Sequence, residues 1–132
     1  MNIKSSKELV IEANETIKIM SPEQVKSSYD KGEVTLIDIR DIRELWKEGT
    51  IENAIHIPRG MLEFWLDPQS SYYQEKKIGN IKNIVLFCAL GLRSALATKA
   101  LKEMGFDNVA NAKGGFDSLK KAGFKVIHKE KK

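Results

Sequence analysis

The sequence contains a single cysteine, Cys88, among its 132 residues. An internal disulfide is excluded, and no second cysteine stands with the distant His56 and His128 to build a thiolate metal site. Any sulfur chemistry must centre on one thiol. With 3 prolines and 9 glycines, 42% hydrophobic and 30% charged residues, there is no compositional case for disorder, collagen or low complexity. The longest apolar run, Ile84 to Cys88 with Ala89 to Leu92 beyond it, falls far short of the roughly 20 residues that cross a bilayer. The opening residues, Met1 to Glu8, leave no room for the apolar core of a secretory signal, so the expectation is a cytoplasmic protein with no membrane partner. No fixed-period repeat and no Gly/Ser- or Pro-rich linker divides the chain, which therefore reads as one domain.

The formal net charge is +4. Part of it lies in the tail His128-Lys129-Glu130-Lys131-Lys132, which reads as a solvated end rather than a nucleic-acid patch, and the mildly basic balance suits a small anionic substrate. Strand and helix patterns alternate along the chain. Leu9, Val10 and Ala13 give a short N-terminal helix over Ser5 to Ala13, followed by a strand over Thr16 to Met20. Ser21-Pro22-Glu23-Gln24 supplies a capping serine, a proline at the first helical position and a glutamine able to bond back to the cap. Val34 to Ile39 reads as a buried strand, Asp41 to Glu48 as a helix with Ile42, Leu45 and Trp46 inward, and Ala54 to Ile57 as a short strand. Met61 to Leu66 forms a short apolar helix or turn, and Gln69 to Lys77 a polar stretch. Ile84 to Phe87 is the strongest strand and Arg93 to Met104 the strongest helix, and Asn108 to Asn111 and Phe116 to Ala122 complete the alternation. The predicted class is a three-layer α/β/α fold with a mainly parallel central sheet of about five strands.

In such sheets ligands bind beyond the carboxyl ends of the strands, which is where Cys88 falls, after the most buried strand and before the most regular helix. In Cys88-Ala89-Leu90-Gly91-Leu92-Arg93-Ser94, Gly91 is free to take unusual backbone angles, successive N–H groups can turn inward as an anion cradle, and the positive end of the following helix favours a thiolate. Spacing alone leaves Cys88 open between a small buried hydrophobe and a nucleophile.

From about Ile19 to Gly123 the chain resembles the single-domain rhodaneses, sulfurtransferases of the thiosulfate sulfurtransferase family. Four segments carry the likeness: Asp38-Ile39-Arg40, the stretch Gly49 to Pro58, the loop Cys88-x-x-Gly91-x-Arg93-Ser94, and Gly114-Gly115-Phe116. Departures from the family pattern are Thr50 where His is usual, Asn53 where Gly is usual, and Leu119 where an aromatic often stands. The division implied is an N-terminal extension over 1–15, a rhodanese-like domain over 16–127 and a basic tail over 128–132.

The resemblance implies ping-pong transfer of a sulfane sulfur from thiosulfate or a persulfide donor to a thiol or cyanide acceptor, through a persulfide on Cys88 and without metal or organic cofactor. Cys88 is then the catalytic residue, and Ala89, Leu90, Gly91, Leu92 and Arg93 form the anion cradle. Arg93 supports the loop through a carboxylate such as Glu44 or grips the donor's sulfonate. Asp38, Arg40 and Arg59 are supporting or substrate-adjacent. For the first two a structural network is the stronger reading, and Arg59 is either a rim charge or a solvated surface arginine. The implied partners are a small anionic sulfur donor and a thiol acceptor, a protein persulfide included. Two alternatives stand beside this reading: a persulfide-carrying or protein-binding module without turnover, and a cysteine-dependent phosphatase or arsenate reductase. The latter enzymes place five residues between cysteine and arginine, whereas four separate Cys88 from Arg93.

Overall fold

Ser21 accepts a hydrogen bond from the Gln24 N–H at 3.1 Å, Gln24 Oε1 accepts from the Ser21 N–H at 2.9 Å, and Pro22 takes the first helical turn, so the local sequence starts this helix without tertiary help. The computed structural model describes residues 1–79, 81 and 83–131. In chain order it contains α1 (Ser6–Thr16), β1 (Lys18–Met20), α2 (Pro22–Asp30), β2 (Val34–Asp38), α3 (Ile42–Glu48), β3 (Thr50–Ile51) and β4 (Ile55–His56). A 3-10 turn (Arg59–Met61) leads into α4 (Leu62–Leu66), α5 (Glu75–Ile78), β5 (Asn83–Phe87), α6 (Leu92–Glu103), β6 (Val109–Ala112), α7 (Gly115–Lys121) and β7 (Val126–Ile127).

Five strands form one parallel sheet in the order β1-β6-β5-β2-β4, the three-layer class expected. β5 lies at its centre, and side-chain alternation along it divides the core in two. Ile84, Leu86 and Cys88 join Ile37, Ile39, Ile57, Leu62, Ala97 and Leu101 on one face, beneath α4 and α6. Val85 and Phe87 join Val25, Leu36, Ala110, Phe116 and Leu119 on the other, beneath α2 and α7. Both faces of the sheet are covered, so its central strand β5 runs apolar from Ile84 to Phe87 rather than alternating. The register pairs Asp38 with Phe87 and Leu86 with Asn111, bringing the carboxyl ends of β2, β5 and β6 to one edge. None of the described helices is long and apolar enough to cross a membrane.

Several local expectations give way to tertiary context. α1 continues to Thr16, past the expected end at Ala13, and packs on α6 with Ala13 fully buried and Leu9 exposed. The strand read from Thr16 therefore begins only at Lys18. Ile42, read as inward, is exposed at the start of α3, and Met104, read as the last residue of its helix, caps α6 and is exposed. β3 pairs antiparallel with β7 in a separate two-stranded sheet, too short for either partner to announce itself in sequence. Of the polar stretch from Gln69 to Lys77, the helical part is confined to Glu75–Ile78. His128 to Lys131 are exposed, and the last residue of the tail, Lys132, lies outside the described residues.

Because the α2 cap is local and exposed, Ser21→Ala should lower stability by about 1 kcal/mol in urea denaturation without changing the cooperativity of the transition.

Candidate active site

Cys88 follows β5 directly, and continuing the strand's alternation turns its side chain toward α6, where it is 1% exposed. Two main-chain donors reach the sulfur: the Gly91 N–H at 3.2 Å and the Ser94 N–H at 3.4 Å. The Ser94 hydroxyl lies 3.3 Å from it. Gly91 holds a left-handed φ of 94° immediately before α6, which aims its amide back at the cysteine, and a Cβ there would sit 3.2 Å from Gly114 N. Of the main-chain donors to the bare sulfur, Gly91 lies within the expected cradle of Ala89 to Arg93 and Ser94 one residue beyond it.

The loop is held from three sides. Arg93 forms a two-pronged pair with Glu44 on α3, Nη1 to Oε2 at 2.9 Å and Nη2 to Oε1 at 3.0 Å. The same Glu44 closes the capping box of α3 by accepting from Asp41 N–H at 3.0 Å, so one carboxylate fixes both helix starts. The Arg93 guanidinium holds the Glu44 carboxyl below its ordinary value of 4.5, against the opposing effect of partial burial. Glu44, and after it the Cys88 side chain, raises Arg93 above the usual arginine range. At the opposite end of α3's first turn, Arg43 holds the exposed Asp41 carboxyl down at about 2.

On the second side, Asn111 of β6 donates to the Gly91 carbonyl at 3.1 Å and accepts from the Ser94 hydroxyl at 2.6 Å. On the third, the Phe116 N–H donates to the Cys88 carbonyl at 2.8 Å. That bond requires Gly115, at φ 65°, to pass so close that a Cβ would lie 2.5 Å from the Cys88 oxygen.

Asp38 and Arg40 lie behind Phe116, both fully buried. Arg40 donates from Nε and Nη2 to the Asp38 carboxylate, the shortest bond being 2.8 Å, and from Nη2 to the Gly49 carbonyl at 2.7 Å. Its guanidinium carbon lies 4.1 Å from the centroid of the Phe116 ring. Thr50 donates to Asp38 Oδ2 at 2.7 Å, so the threonine that departs from the family pattern completes the carboxylate's shell. His56 contacts the Arg40 carbonyl at 2.7 Å through Nε2. Arg59 is not drawn into the loop: its guanidinium pairs with Glu63 at 2.7 Å, and its amide donates to the Ile39 carbonyl. Leu90 and Leu92 project from the loop, 64% and 56% exposed, and Leu92 lines an open, largely apolar groove of about 530 Å³ with Val10, Ile11 and Leu96, edged by Ser6, Lys7 and Arg93.

Sequence reasoning passed over Ser94 as a sulfur partner and gave Asn111 no role beyond its strand. Asn111 left one signal, a polar residue in a short strand that is otherwise apolar, three before the paired glycines.

The family model for the rhodanese-like domain matches residues 21–122. A thiosulfate sulfurtransferase, GlpE, from Actinobacillus pleuropneumoniae is 29% identical over 113 residues, 86% of this chain and 95% of its own. A tRNA uridine(34) hydroxylase from Photorhabdus laumondii is 30% identical over 102 residues, 77% of this chain, which spans only 28% of that protein's length. Among solved structures, a protein of unknown function from Rhodopseudomonas palustris, described as a possible tyrosine phosphatase, superposes with a TM-score of 0.88 at 37% identity over 96% of this chain and 97% of its own.

Replacing Asp38 by Ala leaves the buried Arg40 cation without its counter-charge and should cost about 3–5 kcal/mol in urea denaturation. Glu44 contributes on the acid side. Because its folded carboxyl titrates below its unfolded value, its contribution is complete above the unfolded value near 4.5 and is lost as pH falls through the folded one. Glu44→Gln should therefore flatten the acid limb of a stability–pH profile while costing no more than about 1 kcal/mol at neutral pH, as expected of a pair open to solvent.

Proposed function

The chain belongs to the rhodanese-like domain family, and we propose that it is a sulfurtransferase carrying a sulfane sulfur on Cys88. The observation that carries this reading is the convergence of the Gly91 and Ser94 N–H groups on the Cys88 sulfur. Donors preorganised at an atom that bears negative charge stabilise that charge without reorganising when it forms. Attack of the Cys88 thiolate on the outer sulfur of thiosulfate forms a new S–S bond and breaks the old one, and sulfite leaves with the bonding pair. The product is Cys–S–S⁻. An acceptor thiolate or cyanide then takes the terminal sulfur and returns Cys88 as thiolate, with no net oxidation in either half. The N–H groups of Leu92 and Arg93, in the first turn of α6 and hence without a helical carbonyl partner, are the donors suited to the second sulfur.

The similarity of GlpE, which the chain covers nearly end to end, supports sulfur transfer as the reaction class. The exposed Leu90 and Leu92 and the adjoining apolar groove favour a donor or acceptor that brings apolar surface of its own, a protein or low-molecular-weight persulfide, over free thiosulfate. Arg93 acts as loop support: its Nη1 and Nη2 both pair with Glu44, and its side chain also interacts with that of Cys88, so it bridges α3 to the reactive sulfur. That pairing, together with four rather than five residues between cysteine and arginine, weighs against phosphate ester hydrolysis despite the description of the Rhodopseudomonas neighbour. A cytoplasmic location, where thiols stay reduced, suits a lone reactive cysteine.

Intact-mass analysis after incubation with thiosulfate, polysulfide or glutathione persulfide should detect one added sulfur, lost on cyanide treatment and absent from Cys88→Ser, which remains folded. Failure of all three donors to load the wild-type protein overturns the proposal, and Cys88-dependent hydrolysis of p-nitrophenyl phosphate would replace it with the phosphatase reading.

A further inference from the structure

Asn111 is 3% exposed and sits opposite Leu86 in the register of β5 and β6, one residue back from the strand ends that frame the loop. Its amide orientation follows from its partners. The Gly91 carbonyl can only accept, so the group 3.1 Å from it is Nδ2, and Oδ1 faces Ser94. An amide oxygen can only accept, so across the 2.6 Å contact the Ser94 hydroxyl is the donor. Ser94 has one hydroxyl proton, and Asn111 holds it. Toward the Cys88 sulfur, 3.3 Å away, Ser94 presents a lone pair, which suits a neutral thiol donating its own S–H.

The arrangement changes sense once the sulfur is ionised. A thiolate has no proton to give, and the same Ser94 lone pair then faces an anion. Ser94 can assist the anion only by turning its hydroxyl from Asn111 to the sulfur, which leaves the buried Asn111 Oδ1 without a donor. We infer that Asn111 is a positioning residue that competes with the Cys88 sulfur for the hydroxyl proton of Ser94, holding it in the resting thiol and yielding it when the sulfur carries charge. The only covalent change in the switch is loss of the S–H proton to solvent, with the bonding pair left on sulfur, while one hydroxyl rotates. The inference deepens the proposed function and shares its premise that the Cys88 sulfur ionises, and its test reads the thiol directly rather than sulfur transfer. The charged groups near the sulfur are Arg93 on α6, with Glu44 of α3 behind it, and the Arg40–Asp38 pair of β2, which reaches the cysteine through Phe116. His56 of β4 contacts Arg40. None of these is altered in the test.

Cys88 is the sole cysteine, so the rate of iodoacetamide alkylation against pH reports its ionisation alone. Ser94→Ala, which removes the switchable donor, should move the midpoint up, and Asn111→Val, which frees the Ser94 proton for the sulfur, should move it down, each by about half a pH unit or more. Ser94→Thr, which keeps the hydroxyl, should stay near wild type. In the double variant the Asn111→Val shift should vanish, because its effect passes through Ser94. An Asn111→Val midpoint that rises, stays put, or falls equally in the Ser94→Ala background overturns the inference and reduces Asn111 to a support for the Gly91 carbonyl. Should Asn111→Val not fold, the wild-type protein decides: the ¹³C shift of the Asn111 side-chain carbonyl should titrate with the Cys88 midpoint, and a shift that ignores it overturns the inference. Normal profiles in a protein that accepts no sulfur would sink the sulfurtransferase reading and leave this one standing.

Discussion

The candidate site depends on one close approach of main chains. Where β5 ends and α7 begins, the Phe116 N–H reaches the Cys88 carbonyl at 2.8 Å, and Gly115 passes within a distance that no side chain permits. The parallel register makes this meeting possible by ending β5 and β6 at the same edge, and the left-handed backbone of Gly114 and Gly115 turns the chain tightly enough to complete it. With the Cys88 carbonyl fixed from outside, the residues after it have one way to turn. Gly91, itself left-handed and against Gly114, aims its amide at the sulfur. Three glycines in two separate segments thus determine where the N–H groups around one sulfur point.

Charge is used the same way, to hold backbone. Arg40 is a buried cation whose partners are the Asp38 carboxylate, the Gly49 carbonyl and the face of Phe116. It ties the end of β2 to the entry of β3 and the first turn of α7, the turn that grips Cys88. Among the described residues its Nη1 has no hydrogen-bond partner, a cost that the bonds through Nε and Nη2 must offset. Arg93 and Glu44 repeat the device nearer the surface, joining α6 to α3, where solvent lowers both the cost and the gain. The departures from the family pattern fit this frame. Thr50 supplies the Asp38 carboxylate with a hydroxyl donor. Asn53, at φ 68°, takes the left-handed turn where glycine is usual, which asparagine tolerates better than other side chains. Leu119 fills its place fully buried in the core.

Much of this was legible in the sequence where the deciding physics is local. The Ser21–Gln24 cap, the apolar run of β5, the helix stop at Gly49 and the glycine in the cysteine loop are all short-range signals, and the structure has each in place. What sequence reasoning missed is decided by partners far along the chain. The β3–β7 pairing joins segments more than seventy residues apart, each only two residues long. Ser94 at the start of a helix reads as an ordinary first-turn residue until the cysteine six positions earlier folds back onto it. Asn111 reads as one polar residue in a strand, and only the sheet register, with Leu86 opposite it, brings it to the loop of the neighbouring strand. For Arg93 the sequence leaves a carboxylate such as Glu44 and a substrate oxyanion both open, because only the fold brings the start of α3 to the start of α6 and so pairs the two.

The burial of Cys88 constrains what can react there. Period-two alternation continues past the last strand residue and sets the sulfur among core aliphatics, which is why a lone cysteine there reads equally well as packing. A residue placed for packing alone has no use for two amides and a hydroxyl around its sulfur, since apolar neighbours would fill the space at lower desolvation cost. The donors make sense if the atom carries charge at some stage. At 1% exposure the sulfur is enclosed by its own loop, so whatever reacts there must meet the same Gly91 and Ser94 N–H groups that already point at it.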